Sequence, residues 1–383
     1  MTTAPVESFV DDRYSAAAEA PEAALCCPVE YDPRYLKIIP DEIIEKDYGC
    51  GDPSRYVAAG DIVLDLGSGG GKSCYIASQI VGAEGQVIGV DMNDDMLALA
   101  RKHQPVIAAE LGYDNVQFRR GRIQDLRMNR DRIDSWLRLN PVTDEVSLRQ
   151  YEEFSSHQKR HEPLISNDSV DVVISNCVLN LVDDGEKEEL FREIFRVLRR
   201  GGRAAISDIV ADEPVSEQMK NDPELWSGCV SGAMQEEEFT KAFEAAGFYG
   251  IEIVVRDEDP WRTVEGIEFR SVTVIAFKGK EGECWEHNEA LIYKGPFKKV
   301  TDDDGHIFVR GQRAAVCRKT FEILSKAPYA DSFEHIEPRE PVTEPAPFSC
   351  NGATIIRSAR ETKGLEYSAT TAEAADCCAP GEC

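Results

Sequence analysis

Residues 61–73 read DIVLDLGSGGGKS, an apolar run that stops at a cluster of glycines and passes into a helix-forming stretch, KSCYIASQIV. A buried strand feeding a glycine-rich turn and then a helix leaves backbone N–H groups and a helix N-terminus facing whatever lies over the strand ends. Two familiar phosphate-binding patterns fail here by one position. A dinucleotide fingerprint starting at Gly67 needs glycine where Lys72 stands, and a P-loop ending in GKS needs glycine where Leu66 stands.

Outward from this turn the chain alternates. QVIGVDM reads as a strand, NDDMLALARKHQPVIAAELG as a helix opened by Asn93 or Asp94, and NVQFRRG as a third strand. VDVVISNCV, KEELFREIFRVLRRGG, RAAISDIV, EEFTKAFEAAGF, IEIVVRD and FRSVTVIAFKG continue the pattern to residue 279. We therefore expect an α/β fold, a doubly wound Rossmann-like parallel sheet wrapped by helices, with its core at 55–279 and its domain at 31–279. A charged, helix-biased insertion at about 122–168 is too long for a simple connection and is expected to cap the active-site edge. Residues 280–340 mix short β patterns with DDDG and RG turns and read as a small α+β domain. The Ala- and Glu-rich residues 1–30 are expected to form a flexible arm, and the Pro/Ala-rich residues 341–383 a flexible tail.

The loop resembles the E/D-x-G-x-G-x-G motif of class I methyltransferases, matched by Asp65, Gly67, Gly69 and Gly71. An acidic residue beside the loop suits a cofactor bearing an ammonium and a sulfonium, S-adenosylmethionine, better than a pyrophosphate. Asp91, 20 residues beyond Gly71, takes the place from which a carboxylate accepts ribose hydroxyls. The resemblance further implies cofactor contacts from Tyr48, Ser68, Met92, Asn93 and Met96. It places Arg122 and Ile123, within the stretch Gly121–Gln124, near the adenine, and Asn176 and Leu181 beside the methyl donor.

The 383 residues carry 43 Lys and Arg against 70 Asp and Glu, a net charge of -27. That sign disfavours nucleic-acid phosphates and anionic lipid and favours a small-molecule substrate. With no long apolar run and no basic, apolar leader, the protein is read as cytoplasmic, and its oligomeric state is left open. In a reducing compartment its 12 cysteines are unlikely disulfide partners and are available for metalloid, redox or catalytic work. Four lie where this fold builds its site: Cys50, Cys74, Cys177 and Cys229. Cys74, in the first turn of its helix, is expected to be a ready thiolate.

The cysteine-bearing segments YGCG (48–51), SNCVLNL (175–181) and LWSGCVSGA (225–233), with GVDM (89–92), FREIFRVLRRGGR (191–203) and SDIV (207–210), resemble the arsenite S-adenosylmethionine methyltransferases over about residues 45–325. The resemblance implies that Cys177, Cys229 and Cys50 bind trivalent arsenic as substrate through three soft thiolates. It also implies attack of the arsenic lone pair on the sulfonium methyl, and reduction by a thiol system such as thioredoxin or glutathione. Many members place a fourth cysteine in the glycine loop, where this chain has Ser68. The nearest thiol is Cys74, so a Cys50–Cys74 redox pair is expected only if the two Cα atoms come within about 7 Å.

Other readings stay open at this level. The substrate could be organic, with the cysteines as inherited core, or the chain could bind metalloid without transferring methyl groups. Cys26, Cys27, Cys284, Cys317 and Cys350 follow no pattern, and Cys377, Cys378 and Cys383 read equally as metalloid capture or as an exposed tail. His157 and His161, spaced for one helix face but lacking the Glu of HExxH, read as a solvated face, and no structural metal is assigned.

Overall fold

The computed structural model describes residues 6–20, 22, 29–350 and 355–370; Cys26, Cys27, Cys377, Cys378 and Cys383 lie outside the described residues. The chain divides into two units, 1–279 and 280–383. The stretch expected as an arm contains helix α1 (Val6–Glu19). Val10, Tyr14, Ala17 and Ala18 recur three or four residues apart. They form one apolar face, of which Tyr14, Ala17 and Ala18 pack with Tyr48 and Met96.

The first unit continues with β1 (Ile62–Leu66), α2 (Lys72–Val81), β2 (Gln86–Asp91), α3 (Asp94–Leu111) and β3 (Val116–Arg120). After an insertion of two helices, α4 (Arg130–Leu139) and α5 (Glu145–His161), follow β4 (Val170–Asn176), α6 (Lys187–Val197), β5 (Leu198–Ala211), α7 (Pro223–Ser227), α8 (Glu236–Ala246), β6 (Tyr249–Arg256) and β7 (Ile267–Phe277). Hydrogen bonding orders the strands β3-β2-β1-β4-β5-β7-β6, with the short strands Met234–Gln235 and Arg262–Val264 paired onto β5 and β7. The five strands from β3 to β5 are mutually parallel. β7 runs antiparallel to both β5 and β6, which corrects the expectation of a parallel sheet throughout. The physical reason lies in the link from β6 to β7, residues 257–266, too short to carry the crossover that parallel neighbours need.

Chain direction across the sheet reverses at β1, whose neighbours β2 and β4 lie on opposite sides. The carboxyl ends of β1 and β4 therefore open a crevice, the place where open α/β sheets bind ligands. Apolar clusters fill both faces of the sheet, one built on Leu64, Val90, Val173 and Ile206, the other on Val63, Val87, Ile174 and Ala205. In the insertion, Trp136 stacks on Phe154 with centroids 5.0 Å apart and a 12° interplanar angle. His157 and His161 are exposed. Among the described residues no helix is long and apolar enough to cross a membrane.

The second unit holds a four-stranded antiparallel sheet of β8 (Ala290–Tyr293), β9 (Arg313–Ala315), β10 (Phe333–Ile336) and β11 (Ile355–Ile356), ordered β10-β8-β9-β11. Helix α9 (Arg318–Leu324) adds Phe321 and Leu324 to its apolar cluster. The expectation of a flexible segment from residue 341 needs correction over its described part. Ala346–Pro347 pairs with Trp285–Glu286, β11 pairs with β9, and the buried Arg357 makes an ion pair with Glu286 at 2.6 Å.

Phe191, Phe239, Phe243 and Phe248 pack edge to face where α6 and α8 meet the sheet, and Phe243 is fully buried. Phe243→Ala is expected to lower unfolding free energy by about 3–5 kcal/mol in denaturant titration. A loss under about 1 kcal/mol would show that this cluster contributes little beyond filling space.

Candidate active site

A cleft of about 1030 Å³, its open mouth included, lies over the β1 and β4 ends. Its floor is the glycine loop. Gly67 and Ser68 donate their N–H groups to the Val90 carbonyl at 2.8 and 3.0 Å, tying the loop to β2. Gly67 has φ +69°, and a Cβ there would meet Val178 at 2.4 Å, so only glycine lets the turn pass under that side chain. Gly69 faces open space, whereas Gly71 caps α2 and abuts Phe118 and Tyr75. Gly71 thus serves helix–sheet packing and is not among the cleft-lining residues.

Of the other positions expected to hold a cofactor, Tyr48, Asp65, Ser68, Asp91, Met92, Asn93, Met96, Ile123, Asn176 and Leu181 all line this cleft. Arg122 does not; its guanidinium forms an ion pair with Glu7 of α1. Neither α4 nor α5 contributes a lining residue, so the helices of the insertion do not cap the cleft as expected, and only its first residues, Ile123 and Gln124, line it. Helix α1 supplies that wall instead, through Glu7, Val10, Asp11 and Tyr14. Asn93 tethers it, since its amide caps α3 by accepting from Met96 N–H at 2.9 Å and donates to Asp11 and Ser15 of α1 at 2.9 Å each. Arg13 fixes the other side through Ser227 Oγ of α7 at 2.9 Å. The helical spacing of Val10, Tyr14 and Ala17 was the available signal for this wall, masked by Ala- and Glu-rich composition.

The cleft is acidic. Glu7, Asp11, Asp47, Asp65 and Asp91 line it against Lys46, and Lys72 is engaged by Asp47 and by the Tyr31 ring, 3.8 Å from the ring centroid. Burial pushes the Asp65 carboxyl up to about 7, although its hydrogen bond with the Cys74 thiol at 3.2 Å opposes that. Burial also raises Asp91, against N–H donors from Asn93 and Gly69, each at 2.8 Å, that pull it down. Two desolvated carboxylates facing one cleft favour a cationic guest, which restores the charge partner that burial removed. Among the described residues the buried Ser68 Oγ has no hydrogen-bond partner, a polar atom left for a ligand to satisfy. These residues fit S-adenosylmethionine, whose ammonium and sulfonium supply the positive charge.

At the cleft Cys177 is one of the lining residues, and with Cys50 and Cys229 behind it forms a group of three cysteines, each at most 5% exposed and packed with Ile209, Val230 and Phe269. Cys177 and Cys229 hold left-handed backbone, φ +62° and +60°, uncommon for residues other than glycine. Such strain persists only where surrounding structure enforces it, and it concentrates at functional sites. Here the enforcing bonds are Cys177 N–H to the Ser207 carbonyl at 2.8 Å and Cys229 N–H to the Trp226 carbonyl at 3.0 Å. The Cys229 thiol also donates to the Cys177 carbonyl at 3.3 Å. The neighbouring Cys229 and Cys50 thiols, together with burial, push the Cys177 thiol well above the usual thiol range. Burial raises Cys50 as well. Asp208, pushed up to about 6 by burial, lies close enough to add to that effect, and on α1 burial raises the Tyr14 hydroxyl, with the nearby Cys229 and Cys177 adding to the rise.

Cys50 is set by Asn176. Its Oδ1 accepts from Cys50 N–H at 2.8 Å and Gly51 N–H at 3.0 Å, and its Nδ2 donates to the Gly51 carbonyl at 2.7 Å and to the Tyr31 hydroxyl at 2.9 Å. Asn176 thus positions a cysteine as well as bordering the cofactor cleft. Cys74 is placed differently. It is fully buried in the apolar cluster of Val63, Val87 and Leu97, apart from the other three, and burial followed by the Asp65 carboxyl raises its pKa far above the ordinary value. The helix-terminus argument for a Cys74 thiolate is therefore corrected by desolvation, which outweighs a dipole contribution of about 0.3–1 kcal/mol. The Cys74 sulfur does approach Ser68, since both crowd the same face of Gly89, each 2.8 Å from a Cβ placed there.

A family model described as a methyltransferase domain matches residues 58–150 and 142–247, and a domain of unknown function matches 280–367. An arsenite methyltransferase of Aquipseudomonas alcaligenes is 30% identical over 331 residues, 82% of this chain and 85% of that protein. One from Halobacterium salinarum is 39% identical over 212 residues, 55% of this chain and 43% of that protein. The solved structure of CrArsM, an arsenic(III) S-adenosylmethionine methyltransferase from Chlamydomonas reinhardtii, matches 86% of this chain and all of that chain at 27% identity and a TM-score of 0.54. Cleft chemistry, strand order and extended sequence similarity converge, and the chain belongs to the arsenite methyltransferase family.

Proposed function

We propose that this enzyme methylates trivalent arsenic held by Cys50, Cys177 and Cys229, with the methyl group drawn from S-adenosylmethionine in the adjacent cleft. The observation that carries the site assignment is the pair of cysteines forced into left-handed backbone at the sheet edge, joined by the Cys229 thiol's hydrogen bond to the Cys177 carbonyl and packed in one buried cluster with Cys50. Arsenite, As(OH)3, exchanges its three hydroxyls for three sulfurs. Each thiol proton leaves with a hydroxyl as water, so the raised thiols of Cys50 and Cys177 remain competent ligands. Three-sulfur coordination is pyramidal and leaves the arsenic lone pair unshared.

S-adenosylmethionine supplies an electrophilic methyl group on a sulfonium sulfur. The chain's own residues do the rest by placement. Asp65 and Asp91 receive a cationic ligand, Ser68 offers the unused hydroxyl, and the Asn176 clamp fixes Cys50 relative to β4. Fixing reacting groups in this way can supply roughly 7–11 kcal/mol of barrier lowering. Methylation takes arsenic formally from +3 to +5, and return to +3 consumes two electrons from a dithiol such as thioredoxin or from glutathione. An external reductant is the natural source here, because Cys74 is sequestered in a separate cluster from Cys50.

The test is incubation of purified protein with arsenite, labelled S-adenosylmethionine and a thiol. Wild type is expected to yield methylated arsenic, and Cys177→Ser and Cys229→Ser to lose more than about a hundredfold in rate while still binding the cofactor. Full product from Cys177→Ser, or none from wild type, would sink the arsenic assignment.

Titration of Asp65 gives a second check. A cationic cofactor binds the ionised carboxylate, and the free protein holds that proton up to about 7. Cofactor affinity should then rise with pH through that value and fall by up to about tenfold per unit below it. Calorimetric titrations between pH 6 and 8 read this directly, and Asp65→Asn should flatten the profile. An unchanged slope in that variant would assign the pH dependence to another group.

A further inference from the structure

The second unit contains a group of thiols that the catalytic reading does not use. Cys284, Cys317 and Cys350 bring their sulfur atoms within 4.8 Å of one another, and among the described residues they are the one such group of three or more possible ligand side chains. Their assembly is a tertiary event. The strand pair Trp285–Glu286 with Ala346–Pro347, continued by Phe348 N–H donating to the Cys284 carbonyl at 2.8 Å, brings the neighbourhood of Cys350 to that of Cys284. Cys317 enters from the residue before α9, its sulfur accepting from Thr320 N–H at 3.4 Å. Cys317 is buried, Cys284 half-buried and Cys350 exposed, so the group has an anchored base and one face open to solvent.

We propose that Cys284, Cys317 and Cys350 form a second thiophilic site, one that binds trivalent arsenic and is separate from the catalytic cysteines. Soft thiolates select soft ions. At thiolate–ion distances of about 2.3 Å, two sulfurs in a pyramidal shell stand about 3.5 Å apart, so side-chain rotations that move each sulfur by up to about 1 Å close this group around one ion. Coordination number decides between ions. Structural zinc almost always takes four protein ligands, whereas no fourth Cys, His, Asp or Glu joins this group among the described residues. Trivalent arsenic is complete with three sulfurs. Binding is a condensation in which three thiols and As(OH)3 give three As–S bonds and three waters, with no electron exchanged.

This site goes beyond the catalytic reading and stands or falls apart from it. The full-length chain is equilibrated with arsenite under reducing conditions, desalted, and assayed for bound arsenic and zinc by elemental mass spectrometry, with X-ray absorption reading the arsenic shell. In Cys177→Ser/Cys229→Ser protein, arsenic is expected to remain bound with a three-sulfur shell. Adding Cys350→Ser should weaken its retention by more than about tenfold. Cys350→Ser alone, at an exposed position, should leave the methylation rate and the circular dichroism spectrum unchanged, which separates loss of the site from loss of the fold. Equal arsenic content with and without Cys350→Ser overturns the proposal. Zinc present at about one per chain and not displaced by arsenite also overturns it, in favour of a structural metal. A disulfide between two of the three cysteines that persists under the reducing conditions does the same.

Discussion

Both ends of one side-chain amide, that of Asn176, are spent on a single loop. Its oxygen takes the N–H groups of Cys50 and Gly51 and its nitrogen reaches the Gly51 carbonyl, so a segment from before the sheet is locked to the end of β4. The fit requires glycine at 49, where a Cβ would lie 2.1 Å from the Asn176 amide. Cys177, the next residue in the chain, is thereby brought into the same small volume as Cys50. The apolar floor beneath them, Ile209, Ala211 and Phe269, belongs to β5 and β7. The thiol cluster is thus an outgrowth of the sheet edge, and its geometry is only as good as that clamp.

Charge and solvation divide the site into two halves of different character. The cofactor side keeps carboxylates where burial makes them costly, Asp65 at about 7 and Asp91 raised, and a cationic guest relieves that cost. The cysteine side places three thiols in an apolar pocket, suited to a soft, uncharged partner that condenses with them rather than pairing with them electrostatically. Helix α1 spans both halves, with Glu7 and Asp11 toward the cofactor and Tyr14 toward Cys229. Its anchors combine polar ties, Arg13 on Ser227, Asn93 on Asp11 and Ser15 and Arg122 on Glu7, with the apolar packing of Ala17 and Ala18 on Tyr48 and Met96.

Several features were readable from residues alone because they depend on short stretches of chain. The failure of both phosphate-binding patterns at Leu66 and Lys72, the acidic Asp65 and Asp91, and the strand–helix alternation lie within single supersecondary units. The order of β6 and β7 was not readable from periodicity, since alternation reports that a strand exists and not which neighbour it takes. Arg122 shows the same limit, because adjacency to the cleft-lining Ile123 says nothing of its pairing with Glu7, more than a hundred residues away in the chain.

Cysteine chemistry divides along the same line. Local sequence determined which thiols accompany the sheet ends, through YGCG, SNCV and SGCV, and determined the turn that receives the cofactor. Tertiary structure alone decided that Cys74 is buried against Asp65 rather than activated by its helix, that α1 walls the cleft, and that Cys284, Cys317 and Cys350 meet. The reason is one of range. Backbone geometry and side-chain periodicity act over a few residues and leave their mark in the sequence, whereas desolvation and long-range proximity arise only when distant segments pack against one another.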